Sequence, residues 1–224
     1  MIPRTLEPEV MDTEQESREY NEMDHAGVNE LFVSDFLAAC PQSLLNDEQG
    51  LLDVGTGTAL IPIEFCRQSE RGQITAIDLA DEMLKLANEN IERAELSARV
   101  RLIKCDAKQL PFEDDCFSAV ISNSIIHHIP EPFVVMREMV RALKPGGLLF
   151  IRDLMRPDSV EHLEALVDQH TANETEYSRQ LFRQSLHAAL TVSEVANMLE
   201  ELNLPRDAVA ATSDRHWTVS ASML

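Results

Sequence analysis

Positive charge is scarce in this 224-residue chain. Lys and Arg total 19 against 39 Asp and Glu, a formal net charge of -20, and no Lys/Arg-rich run interrupts the acidity. Such a surface repels phosphate backbones and anionic membranes, so neither nucleic acid nor a membrane is expected as a partner. Cysteine is sparse as well. Cys40, Cys66, Cys105 and Cys116 form no C-x-x-C pair and no zinc-knuckle spacing, so they read as buried or half-buried thiols in a reducing compartment. No metal site is expected, because nothing in the spacing supports one around His127 and His128. The opening "MIPRTLEPEVMDTEQE" lacks an apolar signal region, and no run approaches the ~18 apolar residues of a membrane span. A cytoplasmic protein is expected. Repeats, low-complexity stretches and linkers are also missing, so residues 1–224 read as one domain with a sizeable core.

What is present is alternation. Residues 1 to about 15 read as a loose acidic arm, and "VNELFVSDFLAACP" as a helix stopping at Pro41. "GLLDV", "QITAIDL", "ARVRLIKCDA", "FSAVISNS" and "LLFIRDL" read as strands. Between them lie "TALIPIEFCRQ", "ADEMLKLANENIERAEL" and "PFVVMREMVRALKPGG" as helices, the second with Met83, Leu84, Leu86, Ala87 and Ile91 on one face and the last closed by Gly146 or Gly147. Alternation from Leu51 to Leu154 demands a mostly parallel sheet with helices on both faces. Residues 158–189 are polar and helical. A capping box, Thr191 with Glu194, opens the next helix, and "AVAAT" and "HWTVSA" read as a closing antiparallel hairpin.

Ligands of such sheets bind beyond the carboxyl ends of the strands. Asp53 and the turn Gly55-Thr56-Gly57 end the first strand, Asp78 the second, Asp106 the third, and Ser122-Asn123-Ser124 the fourth. Three carboxylates on one rim are hostile to a pyrophosphate. They suit a ligand with hydroxyls, an exocyclic amine and positive charge. The dinucleotide fingerprint G-x-G-x-x-G would also need glycine at position 60, where Leu60 stands.

"LLDVGTGTA", "AIDLADEML", "KCDAKQLPFEDDCFSAVISNSIIHHI" and "ALKPGGLLFIRDL" occur in order over about residues 45–155. Together they resemble the class I S-adenosylmethionine-dependent methyltransferases of the small-molecule branch. Ala59, where the family often has a third glycine, is a mild departure. The resemblance implies an α/β fold: a Rossmann-like seven-stranded, mostly parallel sheet with one antiparallel strand near the C-terminus. It divides the chain into an N-terminal helical lid (1–45), a cofactor-binding core (46–155), a helical insert (156–190) and a C-terminal helix with closing hairpin (191–224).

The resemblance implies S-adenosylmethionine as cofactor. Gly55, Thr56 and Gly57 would let the backbone approach its methionyl part, with Asp53 below that loop. Asp78 would accept from both ribose hydroxyls, Leu79 and Met83 would flank the adenine, Asp106 and the Ala107 N–H would meet its edge, and Asn123 would face the methionine end. The transfer itself needs alignment, and for some nucleophiles a base. His128 is the candidate base. Tyr20, His25, Arg156 and Tyr177 are candidates for the acceptor side, and the "DRHW" turn offers Arg215 and His216. The acceptor is expected to be a small molecule, since strand four ends in "SNSI" and not in the N-P-P-Y element of base and glutamine N-methyltransferases. The alternative is a cofactor-binding regulatory or partner protein that methylates nothing.

Overall fold

A computed structural model describes residues 2–7, 12–22, 26–46, 50–172 and 174–223. His25, named above for the acceptor side, lies outside the described residues. The elements follow as α1 (Glu14–Glu22), α2 (Ala26–Ala39), α3 (Gln42–Leu45), β1 (Leu51–Val54), α4 (Leu60–Gln68), β2 (Ile74–Asp78), α5 (Asp81–Arg93), β3 (Val100–Lys104), β4 (Phe117–Asn123), α6 (Pro132–Ala142), β5 (Leu143–Leu154), α7 (Val160–His170), α8 (Glu176–Ala188), α9 (Val192–Glu201), β6 (Val209–Ala211) and β7 (His216–Ser222). Single 3-10 turns stand at Ile126–His128 and Arg206–Ala208.

The strands form a seven-stranded sheet in the order β3-β2-β1-β4-β5-β7-β6. β3, β2, β1 and β4 are parallel neighbours. β7 runs antiparallel to β5 and β6. This is the Rossmann-like arrangement with one reversed strand near the C-terminus. The chain falls into two compact units that interleave in sequence, one of residues 10–123, 134–151 and 220–224, the other of residues 1–9, 124–133 and 152–219.

In the first unit β1 is central and every residue of it is buried. Its apolar core gathers Phe32, Phe36, Phe65 and Phe150, with Phe32 and Phe150 edge-to-face at 5.4 Å. Each such ring contributes roughly 1.5–3 kcal/mol by leaving water. On α5 the buried residues are Met83, Ala87, Asn90 and Ile91, spaced as one helical face, while Leu84 and Leu86 flank it half-buried. α6 stops at Ala142, and β5 begins at once with Leu143, earlier than the sequence suggested. Gly146 and Gly147 therefore sit inside a strand and do not close a helix. Gly146 N donates to Met223 O and Met223 N to Gly147 O, so the K-P-G-G stretch is held by strand pairing.

In the second unit Leu154, Leu163, Leu166, Val167, Leu186 and Ala189 pack together with Ile2. The insert is a helical hairpin, α7 against α8. Its cations are committed to ion pairs: the Arg183 fork donates to both oxygens of Glu164 at 2.8 and 2.9 Å, and Arg179 pairs with Asp168. Thr191 and Glu194 form the reciprocal capping box of α9. Trp217 of β7 is fully buried.

For residues 2–7 the reading as a loose arm is corrected. Ile2 is buried in this second core, and Thr5 N donates to His187 O at 3.0 Å. Arg4 donates to the carbonyls of Ala188, Pro130, His127 and Ile129. One guanidinium thereby satisfies the carbonyl groups of the turn after β4, which have no helix or strand to bond to.

Candidate functional site

The parallel register of β1, β2, β3 and β4 brings their carboxyl ends to one edge, with Val54 beside Ile77 and Asp78 beside Lys104. There the chain folds over the end of β2: Gly55 N and Thr56 N both donate to Ile77 O, at 3.0 and 2.9 Å. Gly57 takes φ 54 and donates its N–H to Asp78 Oδ2 at 2.8 Å. A Cβ there would meet only Tyr20 Cε1 at 3.7 Å, so the glycine is required by the backbone and not by lack of space. Ala59 also sits in the left-handed region, φ 62 and ψ 25, at the N-cap of α4. The alanine is thus less mild a departure than it looked, because a Cβ in that conformation costs about 1–2 kcal/mol.

Asp78 serves the turn and not the helix that follows. Its Oδ1 accepts from Ala80 N at 2.9 Å, but Ala80 is the N-cap residue of α5, and the orphan N–H of Glu82 is taken by Asp12 Oδ1 at 3.0 Å. Burial raises the Asp78 pKa, against the pull of the Ala80 and Gly57 N–H groups. Two backbone bonds leave lone pairs of this carboxylate for a ligand.

Asp53 is 2% exposed, and its Oδ2 is buried with no hydrogen-bond partner among the described residues, as is the Thr58 hydroxyl. Burial pushes the Asp53 carboxyl up to about 7, and the charge of Asp78 adds to this. The native chain then holds the proton more tightly than the unfolded one, so this group's contribution to stability falls as pH rises from about 4 to about 7. In urea melts at several pH values, Asp53→Asn is expected to flatten that fall by on the order of 3–4 kcal/mol. Parallel pH profiles for the two proteins would show that Asp53 ionises normally.

α1 lies on the same edge. Tyr20 is half-buried there, and burial together with Asp78 and Asp53 pushes its phenol up to about 12. Asn90 Nδ2 on α5 bonds both Asn21 Oδ1 at 2.8 Å and Thr58 O at 3.0 Å, tying α1 to the turn. Asp106 lies just beyond the end of β3, and its Oδ1 accepts from Lys108 N at 2.9 Å. Met83 is buried, and Leu79, Ala107 and Asn123 are half-buried. Every residue expected on the cofactor side thus belongs to the first unit and lies at or just beyond the ends of these four strands. Asp12 and Asn90, which read as ordinary polar residues in the sequence, were not singled out there; Tyr20, expected on the acceptor side, lies at this same edge.

The remaining candidates lie in the second unit. His127, buried, places Nδ1 2.5 Å from Asp153 Oδ1, and Asp153 Oδ2 accepts from the N–H groups of Ile126 and His127. Burial alone would lower the His127 pKa and raise that of Asp153; each partner reverses this for the other, so His127 rises and Asp153 falls. His128 Nδ1 faces Glu7 Oε1 at 3.2 Å. Arg156 is buried, donating to Ala189 O at 2.8 Å and pairing with Glu194. Tyr177 is exposed on α8. In the "DRHW" turn, Arg215 bonds His170, and His216 Nδ1 bonds Ser213 Oγ at 2.8 Å.

Residues 52–151 match the family model described as methyltransferase domain. A demethylmenaquinone methyltransferase of Desulfitobacterium hafniense (strain Y51) is 32% identical over 108 residues, 48% of this chain and 43% of that protein. One of Listeria welshimeri serovar 6b is 37% identical over 109 residues, 48% of this chain and 46% of that protein. The matched part spans less than half the length of these curated relatives. A crystal structure of a SAM-dependent methyltransferase from Aquifex aeolicus superposes with a TM-score of 0.66 at 20% identity, covering 96% of this chain and 100% of that one. At that identity the likeness is one of fold.

Proposed function

We propose, on the premise that this chain belongs through residues 52–151 to the class I S-adenosylmethionine-dependent methyltransferases, that it transfers a methyl group from that cofactor to a small-molecule acceptor. The observation that carries the proposal is the edge itself: a glycine turn pinned to Asp78, with the buried Asp53 Oδ2 beside it finding no hydrogen-bond partner among the described residues. A buried, unpaired carboxylate oxygen is costly, and a bound group with donors relieves it.

S-adenosylmethionine, when bound, supplies a sulfonium-activated methyl group. On this reading Asp78 accepts from ribose hydroxyls while its two backbone bonds hold it still. Asp53 meets the cationic methionyl end, and Gly55, Thr56 and Gly57 present backbone there. Leu79 and Met83 give the adenine an apolar flank, Asp106 and the Ala107 N–H its polar edge, and Asn123 lies toward the methionyl end. Tyr20 is assigned here to the cofactor side, because its phenol stands against Gly57 and near both acids. The acceptor is proposed to be a demethylated quinone, after the names of the curated relatives. The proposal takes no nucleic acid as partner, on the net charge of -20, and a cytoplasmic setting, on four cysteines that are all free thiols.

Incubation of the full chain with methyl-labelled cofactor and a panel of small acceptors including demethylmenaquinone tests this. Label is expected in an organic product. Tight cofactor binding with no transfer to any acceptor would favour the second reading, a cofactor-binding partner protein.

A further inference from the structure

We infer that Glu7, His127 and His128 form a binding site for a divalent transition-metal ion of the zinc type, independent of methyl transfer. One ligand atom from each of the three lies within 4.8 Å of the others, and all three residues belong to the second unit. Glu7 Oε1 stands 3.5 Å from His127 Nε2 and 3.2 Å from His128 Nδ1. Two ligands on zinc at bonds of about 2.0–2.1 Å and a tetrahedral angle stand about 3.3 Å apart. The observed separations bracket that edge.

The hydrogen bonding around the site points the same way. Asp153, fully buried, holds His127 Nδ1. With the proton on Nδ1, the lone pair of Nε2 faces Glu7, so an acceptor faces an acceptor. That arrangement is repulsive unless a cation or a second proton stands between them. The Glu7 side chain is 6% exposed, and its Oε2 accepts from Ser185 Oγ at 3.1 Å. Its Oε1 is buried and accepts no hydrogen bond among the described residues. A proton shared with an imidazole would give Oε1 such a bond; a metal ion needs none. The carboxylate–imidazole–metal chain that results, Asp153–His127–ion, is the usual way in which a metal-bound histidine is oriented. The Arg4 charge opposes a cation here, and Asp153 and Glu7 outweigh it by two charges to one. Two imidazoles and a carboxylate, with a fourth position for water, suit zinc over magnesium or calcium. The ion would tie the segment of residues 2–7 to the turn at Ile126–His128.

The test uses the full chain, stripped with chelator and titrated with Zn2+ alone. One ion per chain is expected by calorimetry and elemental analysis. Glu7→Gln and His128→Gln are each expected to lose more affinity than the ~10–100-fold typical of an outer-shell change such as Asp153→Asn. Zinc should raise the melting temperature of the wild type and not of Glu7→Gln. Should a variant fold poorly, Co2+ in the wild type decides: intense visible bands mark a four-coordinate site with imidazole ligands. The inference is overturned by the absence of saturable zinc binding, by equal zinc affinity in wild type and both folded variants, or by a weak six-coordinate cobalt spectrum. In that case a proton on His127 Nε2 bridges the pair instead.

Discussion

Replacing Asp78 with alanine raises the dissociation constant for S-adenosylmethionine by about 10- to 150-fold, the equivalent of about 1.5–3 kcal/mol for lost hydrogen bonds to a charged group. The structure gives the loss two sources. The carboxylate is the acceptor proposed for the ribose hydroxyls, and it also anchors the turn through Gly57 N at 2.8 Å. Asp78→Asn separates the two. Its amide oxygen can still accept from one backbone N–H, but the charge is gone, so an intermediate loss is expected. Neither variant should unfold, because Asp12 caps the first turn of α5 independently. Calorimetry on both variants, with circular dichroism to confirm folding, measures this. An unchanged dissociation constant in the alanine variant would reduce Asp78 to a structural clamp.

Gly50→Ala is expected to destabilise the fold by about 2–5 kcal/mol. Gly50 has φ 65, and a Cβ built on it would lie 2.3 Å from Gln73 O. That oxygen accepts from Leu51 N at 2.9 Å, and Gly50 O accepts from Ser118 N at 3.1 Å. The added methyl therefore strikes the bond that starts β1 on β2, while the same residue starts β1 on β4. Left-handed backbone contributes about 1–2 kcal/mol of the cost and overlap with immobile backbone a further ~1–3. This is a large share of an ordinary domain's stability of about 5–15 kcal/mol. Gly57→Ala is the control: its φ is also positive, but its nearest neighbour stands at 3.7 Å, so only the backbone part applies. Urea midpoints of the two variants give the comparison. Equal losses would mean that the backbone around Gly50 yields.

Much of this was legible in the sequence where one local rule decides. The apolar run of β1 around Asp53, the acid that ends β2, the acid just beyond β3, and the Thr191–Glu194 box all follow from short-range pattern. What escaped depends on partners distant in the chain. Lys144-Pro145-Gly146-Gly147 reads as a helix stop, yet it extends β5, because Gly146 and Gly147 pair with Met223. Arg4 looks like one basic residue in an acidic arm, and it binds four carbonyls around residues 127–130 and 188. The partners of Arg183 and Arg179 on α8 are Glu164 and Asp168 on α7, a pairing that the order of residues does not announce. His127 and His128 carried no ligand spacing because their third partner, Glu7, precedes them by about 120 residues.

Calorimetric titration of the full chain with S-adenosylmethionine, its demethylated product and NAD, in parallel, tests the central claim most directly. The acid-lined edge predicts micromolar binding of the first two and none of NAD, whose pyrophosphate would meet Asp53, Asp78 and Asp106. NAD binding tighter than either sulfonium or thioether ligand would contradict the account.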